Sequence, residues 1–101
     1  MHTVTRKRIE ILADRPLLPR LLDAFEACGV TGHTVVPAIS GAGRTGSWSE
    51  DGLTGTSKLL VYVIASAEDA ATLVDRLSPL LDSHRLLLTI GDVDVIRGDR
   101  F

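Results

Sequence analysis

The chain has 101 residues, with 11 Lys and Arg against 13 Asp and Glu, a formal net charge of −2 and 45% hydrophobic residues. That length points to one domain, residues 1–101, with a modest core, and the charge gives no overall pull toward nucleic acid or an anionic membrane. Cys28 is the single cysteine, which excludes an internal disulfide framework and, with no signal-peptide h-region beside Arg6, Lys7 and Arg8, suggests a reducing cytoplasm.

Lys7 to Leu12 reads as a first strand, with Ile9 and Ile11 on one face and Arg8 and Glu10 on the other. Asp14-Arg15-Pro16 ends it. Pro19 suits a first helical position, Leu18, Leu21, Leu22, Phe25 and Cys28 follow at three- and four-residue steps, and Gly29 is the left-handed stop. A β-branched second strand, His33 to Ser40, contains Pro37, which cannot donate to a ladder and therefore places the strand at a sheet edge or at a bulge.

Lys58 to Ala65 is a near-continuous apolar strand suited to a central position; its apolar run is far too short to span a bilayer. Ser66-Ala-Glu-Asp69 has the spacing of a capping box, and Ala70, Leu73, Val74, Leu77 and Leu81 form the stripe of the helix that follows, with Pro79 expected to end or kink it. Asp82-Ser83-His84 reads as a loop and Leu86 to Ile90 as a fourth strand. Val93 to Ile96 is either a short fifth strand or a bulged continuation after Gly91. The order β-α-β-β-α-β predicts an α+β, ferredoxin-like antiparallel sheet with both helices on one face. A mean hydropathy of +0.20 is high for so small a chain and predicts that part of its surface is covered in an oligomer.

Between the second and third strands lies Gly41 to Thr56, with five of the nine glycines and the only tryptophan. It shows neither helical nor alternating periodicity, and a connection this long in a compact domain is expected to be functional or solvated. Gly41-Ala-Gly43-Arg44-Thr-Gly46 spells the dinucleotide fingerprint but opens no helix, so the mechanism behind that fingerprint is missing; Ser-Trp after Gly46 rules out a P-loop. Two readings stay open: a phosphate nest of backbone N–H groups assisted by Arg44, or a solvated hairpin. Trp48 is either a partner anchor or packed on its own subunit. Glu50 and Asp51 could serve a partner or a cation, or be solvated carboxylates.

His2, His33 and His84 share no ligand spacing with Cys28 or an acid cluster, so no metal site is expected. Cys28, in register with Leu21 and Phe25, reads as a buried small hydrophobe. No nucleophile set and no acid–base pair stands out, and the chain is not expected to be an enzyme.

Gly29-Val-Thr-Gly32-His-Thr34-Val, then Gly41-x-Gly43-Arg44, and a closing Val93-Asp-Val-Ile-Arg97 resemble the PII family of signal-transduction proteins. Arg44-Thr-Gly46-Ser-Trp48-x-Glu50-x-Gly52, with Val95-x-Arg97-x3-Phe101, is most similar to the PII-like branch that includes SbtB and the carboxysome-associated PII proteins. The resemblance implies a homotrimer that binds an adenine nucleotide in clefts between subunits. It also implies a T-loop, here Gly41 to Thr56, that docks on a protein partner such as a membrane transporter, with Trp48, Glu50 and Asp51 as partner-binding candidates. By position, Gly32 and Thr34 would lie along the adenine, Gly41, Gly43 and Arg44 would face the phosphates, Lys58 and Arg85 would line the cleft, and Arg97 would reach in from a neighbour. No cofactor is implied. The loop has no tyrosine for uridylylation, and Leu80 to Arg85 lacks the Gly-Lys-rich B-loop that grips ATP, which favours AMP, ADP or cyclic AMP over ATP. Two alternatives remain: a CutA-type trimeric metal-binding protein, and a small ferredoxin-like metabolite-binding domain.

Overall fold

The computed structural model describes residues 2–43, 46–49 and 57–96, the 46–49 stretch as backbone only. Its elements run β1 (Thr3–Asp14), a 3-10 turn (Arg15–Leu17), α1 (Leu18–Ala27), β2 (His33–Ala38), β3 (Ser40–Gly43), β4 (Gly46–Ser49), β5 (Lys58–Ala65), α2 (Ala67–Ser83) and β6 (Leu87–Ile96). Four strands form one antiparallel sheet in the order β2-β5-β1-β6. That is the expected ferredoxin-like arrangement. β5 is central and β2, with Pro37, is an edge.

Strand alternation separates the two sheet faces. From Ile9 onward the odd positions of β1, and all those of β5, are apolar, and Ile9, Ile11, Ala13, Leu59, Val61, Val63 and Ala65 are all buried. They meet Leu21, Ala24 and Phe25 of α1 and Ala70, Leu73 and Leu77 of α2 in a single core cluster, so both helices lie on that face. Even positions, among them Arg8, Glu10, Leu12, Leu60, Tyr62 and Ile64, point to the other face and stay half-buried or exposed. No described helix covers them. Cys28 is half-buried against the rim of the core rather than fully buried, because α1 ends there and the chain turns away at Gly29, whose φ is +73°.

Several boundaries differ from the sequence reading, each for a tertiary reason. β1 extends beyond Lys7–Leu12 at both ends because its neighbours keep pairing with it: Thr3 faces Ile96 and Asp14 faces Lys58. The expected break after Gly91 is absent. Gly91 sits in unbroken register opposite Arg8, and β6 is one ten-residue strand. Pro79 neither ends α2 nor opens a loop at Asp82. Proline leaves the Asp75 carbonyl without its helical donor, but Leu80 and Leu81 still pack on the core and the last turn is closed by the His84 N–H on the Leu80 carbonyl (3.0 Å) and the Ser83 hydroxyl on the Pro79 carbonyl (2.9 Å). Ser66 caps the helix as expected, accepting the Asp69 N–H at 3.1 Å.

The stretch read as a structureless connection begins as a β-ribbon. β3 pairs antiparallel with β4, Ser40 opposite Ser49, Gly41 opposite Trp48 and Gly43 opposite Gly46. Single-strand periodicity missed it because glycine and serine carry no hydrophobic alternation. Backbone pairing holds these residues without it.

Candidate functional site

The β2 edge organises the residues singled out by sequence. Thr34 lies opposite Tyr62 and Ala38 opposite Lys58. Thr34, Ala38 and Lys58 therefore share the helix-free face, with Thr34 and Lys58 four residues apart along the strands, about 13 Å. Gly32 immediately precedes β2, and Gly41 and Gly43 lie just beyond its other end in β3. In sequence, Gly32, Thr34 and the glycine ribbon follow the β2 edge, with Lys58 on the adjoining strand β5 opposite Ala38, over a length on the scale of a nucleotide stretched from base to terminal phosphate. Space around it is open: a Cβ built on Gly32 or Gly43 would meet nothing within 4 Å. A small crevice beside Gly32 is lined by Thr31, Ile64, Ser66 and Asp69.

At its end of the sheet Lys58 is paired with Asp14. Its ammonium donates to Asp14 Oδ1 at 2.8 Å, both side chains being partly exposed. Next to this pair the Arg15 N–H donates to the Ser57 carbonyl at 2.8 Å. The return from the 44–56 segment into the sheet is therefore pinned to the end of β1 by a hydrogen bond and an ion pair. In the sequence Asp14 reads only as the end of the first strand. Its place opposite Lys58 follows from the β1–β5 register, which one sequence does not disclose.

Arg85 lies just ahead of β6, at the same end of the sheet as Lys58 but by the opposite edge. Leu87 pairs with Leu12, which in turn pairs with Leu60. Within one chain, three strand spacings separate β6 from β2, about 14 Å. Arg85 is exposed and has a φ of +52°, the only described non-glycine residue in the left-handed region. Single-chain geometry therefore does not bring Arg85 to the β2 edge. Arg44, Glu50, Asp51 and Arg97 lie outside the described residues, and of Trp48 only the backbone is described, opposite Gly41.

Ile96 pairs with Thr3 at one end of the 12-residue β1, whereas Lys58 pairs with Asp14 at the other. Those ends are about 36 Å apart.

The helix-free face also carries a polar group sequence reading did not single out. Arg8 Nη2 lies 3.2 Å from Glu10 Oε1, and the same guanidinium stacks over Tyr62. The same face carries Leu12, Val36, Leu60, Ile64, Val93 and Val95. Among the described residues no group of three His, Cys, Asp or Glu could hold a metal ion. No described helix is long and apolar enough to cross a membrane.

Comparison with known proteins follows the same lines. A family model described as nitrogen regulatory protein P-II matches residues 6–100. No curated protein sequence matches the chain. Among solved structures, the chain is similar to CPII, a nitrogen regulatory PII-like protein from Thiomonas intermedia K12, bound to ADP, AMP and bicarbonate. The TM-score is 0.89 at 20% identity, covering 99% of this chain and 96% of that one. CPII bound to ADP and bicarbonate gives 0.86 at 23% identity, covering 99% and 97%. A DUF3240 family protein from Shewanella baltica OS155 gives 0.68 at 15% identity, covering 86% and 88%. At these identities the structures establish the shared fold.

Proposed function

The chain belongs to the nitrogen regulatory protein P-II family, and from that premise we propose that it is a regulator that binds an adenine nucleotide between subunits and signals through its T-loop. The observation that carries this reading is that Thr34 on the β2 edge and Lys58 beside it share the face that no helix covers, with Gly32 just before β2 and the β3 glycines just after it. CPII, which has the same fold, is described with ADP, AMP and bicarbonate bound.

Homotrimeric assembly supplies what a single chain lacks. The apolar helix-free face, with Leu12, Leu60 and Tyr62, is the surface for packing against other copies. The span of about 36 Å between Ile96 and the Lys58 end of β1 supports the reading that Arg97 serves the site of a neighbouring subunit. Arg85 likewise joins the site from across a subunit boundary. In this assembly Gly32 and Thr34 hold the base end, while Gly41, Gly43, Arg44 and Lys58 meet the phosphates through backbone N–H groups and charge.

Signalling follows from linkage. A nucleotide that binds one arrangement of the 44–56 segment better than another shifts their populations, and a partner reading Trp48, Glu50 and Asp51 then senses the nucleotide. The partner is a protein, with a membrane transporter the type we favour. AMP, ADP or cyclic AMP is the favoured ligand over ATP.

Thermal shifts against AMP, ADP, ATP and cyclic AMP, each with and without bicarbonate, test this reading, because a ligand of the native state raises the midpoint. Copper and zinc belong in the same screen. Stabilisation by metal alone would replace the proposal with a CutA-type metal-binding role, and silence toward every nucleotide would remove it. Within the nucleotide reading, Arg44→Ala is expected to weaken binding by about 1.5–3 kcal/mol, the loss of one charge-assisted hydrogen bond.

A further inference from the structure

Resting on the subunit assembly proposed above, we propose that the outer edge of β6 is the line along which the main chain of a second copy approaches, with Gly91 the point of closest contact.

Gly91 has no reason to be glycine within its own chain. It lies in the middle of β6, in unbroken register opposite Arg8, and its backbone is outside the left-handed region, where Gly29 is the described glycine. A Cβ built on it would meet nothing within 4 Å. Glycine weakens the interior of a strand, and where no turn or bulge explains it, it marks a place where another backbone or a ligand comes close. The missing side chain leaves a socket of about 210 Å³ on the helix-free face, walled by Arg8, Glu10, Thr89 and Val93. Arg8 and Glu10 are paired with each other, so the walls hold no spare charge for a small ion.

The rim of the socket is open main chain. In an antiparallel pair, the residues that exchange main-chain bonds alternate along each strand. Arg15, one step past the Asp14–Lys58 pair, donates its N–H to the Ser57 carbonyl, so odd-numbered residues of β1 turn their main-chain groups to β5 and even-numbered ones turn theirs to β6. Their partners on β6 are Thr89, Gly91 and Val93, opposite Glu10, Arg8 and Arg6. Ile90 and Asp92, on either side of Gly91, are left with N–H and C=O groups aimed out of the sheet.

Open strand edges are ordinarily guarded by lysine, proline or a bulge, or else covered. β6 has no lysine and no proline, its register is unbroken, and its two carboxylates, Asp92 and Asp94, are held by Lys7 and Thr5. Leu87, Ile90 and Ile96, three of the five large apolar side chains left exposed among the described residues, stand along it. They lie on both faces of the sheet, so an arriving chain finds apolar contact above and below. The arriving chain is a second copy because β6 runs along the proposed subunit boundary. Arg85 and Arg97, which in that assembly complete sites across the boundary, lie six positions before and after Gly91. The socket also opens on the face that carries Leu12, Leu60 and Tyr62.

Amide hydrogen exchange of the full chain, read with its native mass by light scattering, tests the assignment. In the wild-type oligomer the Ile90 and Asp92 amides are expected to exchange more slowly than in Gly91→Val by roughly tenfold or more. The Thr89 and Val93 amides, whose partners lie on β1, serve as controls. Gly91→Val, which its own chain has room for, should keep its far-UV circular dichroism while its mass falls toward that of a monomer. Gly91→Ala gives the same comparison should the valine variant fail to fold. A wild-type oligomer in which the Ile90 and Asp92 amides exchange freely would overturn the assignment, as would a Gly91→Val that keeps both native mass and amide protection. Slow exchange of the two amides in a monomeric variant would overturn it too, by showing that the chain covers its own edge. A wild type that is itself monomeric would remove the assembly reading and this assignment together, whereas an oligomer with an open β6 edge removes this assignment alone.

Discussion

The guanidinium carbon of Arg8 lies 4.9 Å from the centroid of the Tyr62 ring, on the sheet face that neither helix covers. Glu10 holds the same guanidinium from the side at 3.2 Å. In an isolated chain such a partly exposed pair contributes little, because water screens it. Sealed between subunits, it would form a polar anchor inside an apolar contact. Tyr62→Glu removes the aromatic face and sets a second carboxylate beside Glu10. The variant is expected to run as a monomer in size exclusion with light scattering while keeping its far-UV circular dichroism. Retention of the native mass would place the subunit contact elsewhere.

Core truncation tests the other face. Ile11 and Leu73 are completely buried between the sheet and the helices. Either change to Ala is expected to cost about 2–5 kcal/mol, the transfer loss plus the residual cavity. Urea titration at fixed protein concentration checks this; a cost well under 1 kcal/mol at both sites would mean the core is not packed as described.

Ser66 supplies the one described side-chain cap of α2. Ser66→Ala should lower stability by about 1 kcal/mol, since the Asp69 N–H loses its partner. Thr72, exposed and bonded back to the Glu68 carbonyl, serves as a control for which Thr72→Ala leaves the midpoint unchanged. Equal effects at the two positions would deny Ser66 its capping role.

Left-handed backbone at Gly29 and Arg85 gives a prediction of opposite signs. Gly29→Ala should destabilise by about 1 kcal/mol, because the new Cβ disfavours a φ of +73°. Arg85→Gly should instead raise the thermal midpoint, by up to about 1 kcal/mol of relieved strain, while weakening nucleotide binding if Arg85 meets the phosphates. A variant that is more stable but binds less well would separate the two roles. One with unchanged affinity would take Arg85 out of the site.

Much of this architecture was legible because local pattern and tertiary role agree. Ile9 and Ile11 alternate with Arg8 and Glu10, and the sheet buries the first pair. Pro37 marked an edge, Ser66 a cap and Gly29 a left-handed stop. Where the sequence misled, a distant partner decided the outcome. Packing of Leu80 and Leu81 carries α2 past Pro79, and β1 keeps β6 straight through Gly91. The glycine-rich ribbon was invisible to periodicity because its residues have no side chains to alternate. At the site, sequence could nominate Lys58 but not Asp14, since an ion pair between residues 44 apart depends on strand register. It could nominate Arg85 but not place it by the far edge of the sheet.

β1 is the hub of the sheet, and its two partners arrive late in the chain. Thr5 bonds Asp94 across 89 residues and Lys7 bonds Asp92 across 85. β1 must therefore wait with both edges unpaired until β5 and then β6 have been made. Loop closure over such separations is entropically costly before any contact rewards it. Folding of this chain is thus expected to be slow for its length, with the waiting β1, apolar along one side from Ile9 onward, the segment most in need of protection in the nascent protein.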